Sequence, residues 1–141
     1  MSDVQQIIDR NKESLIIPDG ISVISLEREV IVFNEAASRI TGYKEDKIIG
    51  KKIDLLFNPG SEDISFIGKS IEENLSFNNQ SIDIIDAKGK SKNVLASITP
   101  IIRDGKVLSV VFVFRDTMEM LTLAEEIHEK TSELIDQKNR L

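Results

Sequence analysis

The sequence predicts an α+β domain built around one antiparallel sheet. Two short runs rich in β-branched residues lie early in the chain, three longer runs lie late, and helix-forming segments separate the two groups. Strands grouped on either side of a helical block are typical of an antiparallel sheet with short helices on one face. The 141 residues suffice for one hydrophobic core with a helical extension.

The first part of the chain predicts a helix followed by a hairpin. Apolar residues recur near helical spacing between residues 3 and 16, which indicates an amphipathic helix within an N-terminal segment 1–16. Pro18-Asp19-Gly20 is a turn signal. Strands are expected over Ile21–Leu26 and Glu29–Asn34, with a tight turn at Glu27-Arg28 between them.

The middle of the chain predicts several short helices. Asn34 is a favourable N-cap residue, and Gly42 suits the left-handed conformation in which many helices end. A helix is therefore expected over Glu35–Thr41. Further helical segments are predicted over Glu45–Ile49, Ile53–Phe57 and Ser65–Leu75, the second of them ended by Asn58-Pro59-Gly60.

Three consecutive strands are predicted next, joined by hairpin turns. Ala87-Lys88-Gly89 forms one turn, and Arg103-Asp104-Gly105 contains the Asp-Gly pair that favours tight hairpins. Pro100 cannot donate a ladder hydrogen bond, so it marks an edge position or a bulge. The strands are expected over Phe77–Asp86, Lys92–Ile102 and Lys106–Phe114.

The last strand is apolar on both sides, which an antiparallel sheet with one wet face does not require. The middle helices are expected to cover one side, and the first helix or a partner chain the other. One side carries Val107, Val111 and Val113, and the other carries Leu108, Val110, Phe112 and Phe114.

Residues 118–141 lack Gly and Pro and carry a heptad pattern. Met120, Ile127, Leu134 and Leu141 recur every seven residues, with weaker companions at Thr117, Ala124, Thr131 and Lys138. The pattern predicts a coiled-coil-like helix that forms a homodimer. The alternative is a surface helix that packs on its own domain. Because the last strand leads directly into this helix, a change in the domain is expected to reach the helix.

Composition excludes several classes of function. The net charge is −6 and the basic residues are scattered, so direct nucleic-acid binding is not expected. No apolar run reaches the roughly 20 residues that span a bilayer, and no signal peptide opens the chain. With no cysteine there is no disulfide framework or Cys metal site. These features predict a cytoplasmic protein with no membrane segment.

Several motifs resemble those of the PAS domain family, over about Leu15 to Thr117. Asn34-Glu35-Ala36-Ala37 with Thr41-Gly42-Tyr43 resembles the Asn-x-Ala-Ala…Thr-Gly-Tyr stretch of the family's first core helix. Phe114-Arg115-Asp116-Thr117 resembles the closing signature, which is usually Asp, an aliphatic residue and Thr, although here Thr117 follows Asp116 directly. Pro18-Asp19-Gly20-Ile21 resembles the entry turn, and Ile48-Ile49-Gly50-Lys51 with Leu55-Leu56-Phe57 resembles the next segment.

The resemblance implies a five-stranded antiparallel sheet cupping short helices, with a PAS core over residues 17–117. It implies a sensor and dimerisation module in a signalling protein such as a histidine kinase, an enhancer-binding transcription regulator or a diguanylate cyclase. Arg115, Asp116 and Thr117 would relay the signal into the following helix; for Arg115 and Asp116 a purely structural helix cap is the alternative. A ligand-free dimerisation scaffold is the alternative. An enzyme is not expected, because convergent His, Cys or buried acid pairs are missing.

The interior offers candidate ligand contacts but no assigned cofactor. The only histidine, His128, lies on the predicted C-terminal helix as a surface residue or, less favoured, a phosphoacceptor, so His-ligated haem is disfavoured. Covalent flavin chemistry like that of light-sensing relatives is excluded without cysteine, and noncovalent flavin is open but not favoured, because the chain has no Trp and one Tyr to stack on it. No metal is expected, and an unknown small molecule and a filled interior both remain open. The residues expected between sheet and helices are Phe33, Ile40, Ile67, Ile71, Ile98 and Phe112.

Overall fold

Five antiparallel strands form one sheet in the order β2-β1-β5-β4-β3. A computed structural model describes residues 19–121. The strands that begin and end the described domain, β1 and β5, are neighbours in the centre of the sheet. The strands are β1 (Gly20–Ser25), β2 (Val30–Phe33), β3 (Phe77–Ile85), β4 (Ser91–Arg103) and β5 (Lys106–Asp116).

The helices between β2 and β3 are short. Asn34 caps the first of them with its side chain, and Gly42 ends it with φ 78°. The three α-helices are α1 (Glu35–Thr41), α2 (Glu45–Ile48) and α3 (Ser65–Glu73), and the two 3-10 helices span Ile53–Leu56 and Glu62–Ile64. Residues 117–121, directly after β5, are helical as well.

Within residues 19–121 the predicted elements are present, with changes at their ends. The last strand continues through Arg115 and Asp116 instead of ending at Phe114, because the ladder with β4 runs on to the Val94–Asp116 pair. The 3-10 helix over Glu62–Ile64 was not predicted. The predicted helix at residues 3–16 and the predicted helix beyond residue 121 lie outside the described residues.

The core lies between one face of the sheet and the helices. Three large side chains at its centre, Phe33, Phe112 and Phe114, are almost completely buried. The Phe112 ring lies 4.9 Å from that of Phe114 and 6.3 Å from that of Phe57, measured between ring centroids. Phe57 follows the first 3-10 helix directly, so the helical layer contributes to the same aromatic cluster as β5.

The two sides of β5 differ in burial. Val110, Phe112 and Phe114 are fully buried, whereas Val111 and Val113 on the opposite side are half-buried. Leu108 was predicted to share the side of Val110 but is 50% exposed. The register with β4 shifts between Ile101 and Ile102, which pair with Ser109 and Val107. Leu108 is therefore the extra residue of a bulge, which breaks the alternation of sides.

Pro100 occupies the kind of position that the sequence predicted. It pairs with Val110 of β5, while the pairing of β4 with β3 reaches only as far as Ile98. On the edge of β4 that faces β3, Pro100 therefore has no partner in the β3–β4 ladder. A residue without an N–H donor is tolerated there at no cost in ladder hydrogen bonds.

Candidate functional site

The N-terminal end of α1 is tied to the start of β1 by one side chain. Asn34 Oδ1 accepts hydrogen bonds from the backbone N–H of Ala37 at 2.8 Å and of Ile21 at 2.9 Å. Its Nδ2 donates to the carbonyl oxygen of Asp19 at 3.0 Å. Asn34 therefore acts as a helix cap and also connects α1 to the segment that enters the sheet.

The same entry segment is bound to the end of β5 through an ion pair. Arg115 Nε lies 2.5 Å from Asp19 Oδ1, and its Nη2 lies 3.2 Å from Asp19 Oδ2. The hydrogen bond and the charge of Asp19 raise the pKa of Arg115 above its ordinary value. Because the Arg115 side chain is 54% exposed, the pair contributes more to geometry than to stability. The fork-to-fork contact fixes the direction of both side chains.

The C-terminal end of α1 is hydrogen-bonded to the turn between β3 and β4. The backbone N–H of Ala87 in that turn donates to the carbonyl oxygen of Thr41 at 2.8 Å. Lys92 Nζ, from the start of β4, donates to the carbonyl oxygen of Ile40 at 2.8 Å. Carbonyl groups at a helix C-terminus lack partners within the helix, so these two donors satisfy groups that would otherwise stay unpaired.

Lys92 also connects this end of α1 to the end of β5. Its Nζ lies 3.7 Å from Asp116 Oδ2, and the Asp116 side chain is almost completely buried. Arg115 and Asp116 are neighbours in an extended strand, so their side chains point to opposite faces. Arg115 therefore reaches Asp19 on one face, and Asp116 reaches Lys92 on the other. Both ends of α1 are linked by side chains to the last two residues of β5.

Asp86 holds the β3–β4 turn in shape beneath the end of α1. Its Oδ1 accepts hydrogen bonds from the backbone N–H groups of Lys88 and Lys90, both at 2.9 Å. The backbone hydrogen bond from Lys90 is the main cause that lowers the pKa of Asp86, and the charge of Lys92 adds to it against the opposing effect of burial. The carboxylate form is therefore the one that stabilises the turn.

The predicted interior residues line the space between sheet and helices. Phe33, Ile40, Ile67, Ile98 and Phe112 are buried, and Ile71 is partly buried against the same cluster. Two hydroxyls in this layer, those of Ser22 and Ser70, are buried without a hydrogen-bond partner. A buried hydroxyl without a partner costs about 1–3 kcal/mol.

The family follows from comparison with known domains. A model described as "PAS domain" matches residues 18–119, which is most of the chain. The chain belongs to the PAS domain family. A comparison with curated proteins finds no significant match.

Solved structures share the fold of this PAS domain at low sequence identity. The PAS domain of a Colwellia psychrerythraea protein superposes with a TM-score of 0.63 at 19% identity, covering 78% of this chain and 96% of that one. The PAS domain of the fruit-fly ELK potassium channel superposes with a TM-score of 0.60 at 16% identity, covering 80% of this chain and 95% of that one. The Erythrobacter litoralis EL346 blue-light activated histidine kinase gives 0.62 at 18%, covering 71% of this chain but 33% of the kinase. Identities this low establish the fold alone.

The residues predicted to relay or dimerise are only partly described in this PAS domain. Arg115 and Asp116 make the contacts given above, and Thr117 is the first residue of the helical segment 117–121. Met120 is 37% exposed on that segment. Ile127, Leu134, Leu141 and His128 lie outside the described residues.

Two residues of the site were missed from the sequence. The sequence marks Asp19 only as part of a turn, and Lys92 only as the start of a strand. Neither carries a local signal for its partner, because both partners lie far away in the sequence. Among residues 19–121, no group of acidic or histidine side chains could hold a metal ion, and no helix has the length and hydropathy needed to cross a membrane.

Proposed function

We propose that this PAS domain is the sensing and dimerisation module of a longer, cytoplasmic signal-transduction protein. It acts without catalysis, and passes a change in its interior through Arg115 and Asp116 into the helix that begins at Thr117. The parent protein would carry an output domain such as a histidine kinase, an enhancer-binding transcription regulator or a diguanylate cyclase.

The observation that carries the proposal is the double connection between α1 and the end of β5. The N-cap residue Asn34 reaches Arg115 through Asp19, and the carbonyl oxygen of Ile40 reaches Asp116 through Lys92. Ile40 is also one of the buried residues that face the interior. A ligand that displaces Ile40 would therefore move both α1 and the carbonyl oxygen of Ile40, which accepts the hydrogen bond from Lys92 Nζ.

The two connections differ in how strongly they can transmit such a movement. The Arg115–Asp19 pair is largely exposed, so solvent screens it and its two partners can part at little cost. Asp116 is buried, so parting it from Lys92 leaves a carboxylate with less compensation in a less polar surrounding. We therefore assign the main coupling to the path from Ile40 through Lys92 to Asp116.

The path can be tested by replacing Lys92 with Met, which keeps the apolar stem and removes the charge. We expect faster amide hydrogen exchange at residues 117–121, by about fivefold, which corresponds to roughly 1 kcal/mol lost at the start of the helix. The measurement is residue-resolved hydrogen exchange by NMR on the full chain. Urea unfolding of the same samples gives the change in global stability, which is subtracted.

The matched control is Lys106→Met, the same substitution at an exposed lysine at the start of β5, at the opposite end of the strand from Asp116. It removes the same charge without touching α1 or Asp116. If exchange at residues 117–121 is the same in Lys92→Met and Lys106→Met after correction for global stability, Lys92 does not couple α1 to the helix and the proposed relay is wrong.

A ligand-free scaffold is the second candidate, and a specific observation favours it. Phe57, Phe112 and Phe114 form a contiguous aromatic cluster within the layer where a guest would bind. The buried, unpaired hydroxyls of Ser22 and Ser70 favour a guest instead, since a polar ligand would give them partners. Native mass spectrometry of the purified chain separates the two: a bound small molecule lost in Ser22→Ala supports sensing, and a mass equal to the bare chain supports the scaffold.

A further inference from the structure

A cleft of about 220 Å³ lies where the C-terminal end of α1 meets the β3–β4 turn. The side chains around it include three cations, Arg39, Lys88 and Lys92, and one carboxylate, Asp86. We propose that this cleft binds a small oxyanion, a carboxylate or phosphate, and that the bound anion competes with Asp116 for Lys92.

The charges and donors of the cleft favour an anion. The single carboxylate, Asp86, already accepts two backbone hydrogen bonds within its own turn. The helix carbonyl groups that would repel an anion are also engaged, because Ala87 N–H binds the Thr41 oxygen and Lys92 Nζ binds the Ile40 oxygen. The lining thus carries three cations against one carboxylate that is engaged in its own turn, and oxyanions meet such cations with strong charge-assisted hydrogen bonds.

Lys92 is the residue that gives the cleft a defined binding group. Its Nζ is held by the Ile40 oxygen, so less side-chain freedom is lost when a ligand binds than at a mobile surface lysine. An ammonium has three N–H donors. The distance of 3.7 Å to Asp116 Oδ2 is longer than the roughly 2.7–2.9 Å of a charge-assisted hydrogen bond. An anion in the cleft at hydrogen-bond distance would thus be a stronger partner for Lys92 than Asp116 is.

The volume limits the ligand to a small molecule. Sites for drug-sized ligands are about 300–1,000 Å³, and this cleft is smaller.

The effect of the bound anion on the helix after β5 rests on the proposed function, because it assumes that the Lys92–Asp116 contact is part of the relay. The binding itself does not depend on that assumption.

The test is a titration of the full chain, labelled with ¹³C and ¹⁵N, with inorganic phosphate and separately with acetate, at constant pH and with sodium chloride at matched ionic strength as reference. We expect saturable amide shifts at Gly42, Ala87 and Lys88 with at least one of the two anions. The dissociation constant should rise about tenfold in Lys88→Gln, which removes one of the three cations from an exposed position in the turn.

The matched control is Lys90→Gln, the same change two residues further in the same turn at a lysine that does not line the cleft. We expect its dissociation constant to stay within about twofold of that of the unmodified chain, since a lysine outside the cleft acts only through screened charge. No saturable shift beyond the chloride reference, or equal weakening in both variants, would overturn the proposal.

The competition with Asp116 has its own readout, the carboxylate ¹³C shift of Asp116 during the same titration. A change that saturates with the cleft amides supports the competition. Cleft amides that saturate while Asp116 does not change would overturn the competition but leave both the binding site and the proposed relay standing. Failure of the relay is detected separately, by the hydrogen exchange of Lys92→Met.

Discussion

Gly20 illustrates how one residue controls the approach of a strand to a helix. A Cβ atom at this position would lie 2.8 Å from two ring atoms of Phe114 and 3.1 Å from the Cα atom of Ala37. The sequence marks Gly20 only as part of a turn signal, but in the fold it lies in β1 opposite Phe114. The absence of a side chain is what lets β1 and α1 meet here, next to the cap formed by Asn34.

We expect Gly20→Ala to lower the free energy of unfolding by about 1–3 kcal/mol, because a buried aromatic ring and a helix backbone would both have to shift. The measurement is urea unfolding followed by circular dichroism. The matched variant is Gly68→Ala, within α3, where an added Cβ meets no atom within 4 Å. It should raise the free energy of unfolding by about 0.5–1 kcal/mol, since Ala favours helix over Gly. Two changes of equal sign would contradict the structure at one of these positions.

At the scale of elements, α1 depends on the β3–β4 turn, which follows it by more than forty residues. The turn donates to the carbonyl oxygen of Thr41 through Ala87, and the start of β4 donates to that of Ile40 through Lys92. The turn itself is shaped by Asp86, which accepts two of its backbone N–H groups. A change in the turn is therefore expected to reach both the end of α1 and the cleft beside it.

The lowered pKa of Asp86 gives this arrangement a dependence on pH. A carboxyl group whose pKa is lower in the folded state stabilises the fold above its unfolded pKa of about 3.8, and this contribution is lost as the pH falls through the folded value. We expect Asp86→Asn to be less stable than the unmodified chain at neutral pH, with the difference shrinking below pH 3.8. Urea unfolding of both proteins over that range is the measurement. If the difference in unfolding free energy between the two proteins does not change with pH, the charge of Asp86 has no part in the stabilisation.

At the scale of the whole molecule, the chain combines a domain with a helix that starts where the domain ends. Strand β5 ends at Asp116 and helical structure begins at Thr117 without a loop. The heptad pattern that follows places apolar residues at Met120, Ile127, Leu134 and Leu141. Its weak companion positions predict a helix pair of modest stability.

We expect the full chain to form a homodimer and the chain ending at Thr117 to dimerise at least tenfold more weakly, because the heptad residues are removed. Size-exclusion chromatography with light scattering over a range of concentrations measures both. Leu134→Asp in the full chain is the matched point variant and should weaken the dimer in the same way. If the full chain and the chain ending at Thr117 are both monomers, the dimerisation prediction is wrong.

The sequence by itself determined most of the elements within residues 19–121, because their signals are local. Asn34 and Gly42 bound α1 at the residues observed, and Asp104-Gly105 marks the hairpin between β4 and β5. Val110, Phe112 and Phe114 share one of the two apolar sides that the sequence predicts for β5, and that side is the one the fold buries. These signals act over a few residues, where backbone geometry and side-chain period decide the outcome.

The tertiary structure alone decided which charged residues meet. Asp19 and Arg115 are 96 residues apart, and Ile40 and Lys92 are 52 apart. A charged side chain carries no local mark of its partner, and the partner is set by strand order and register. A shift of one residue between β4 and β5 would turn Asp116 away from Lys92. The links between α1 and the end of β5, and the cationic cleft beside them, exist because the register holds these groups together.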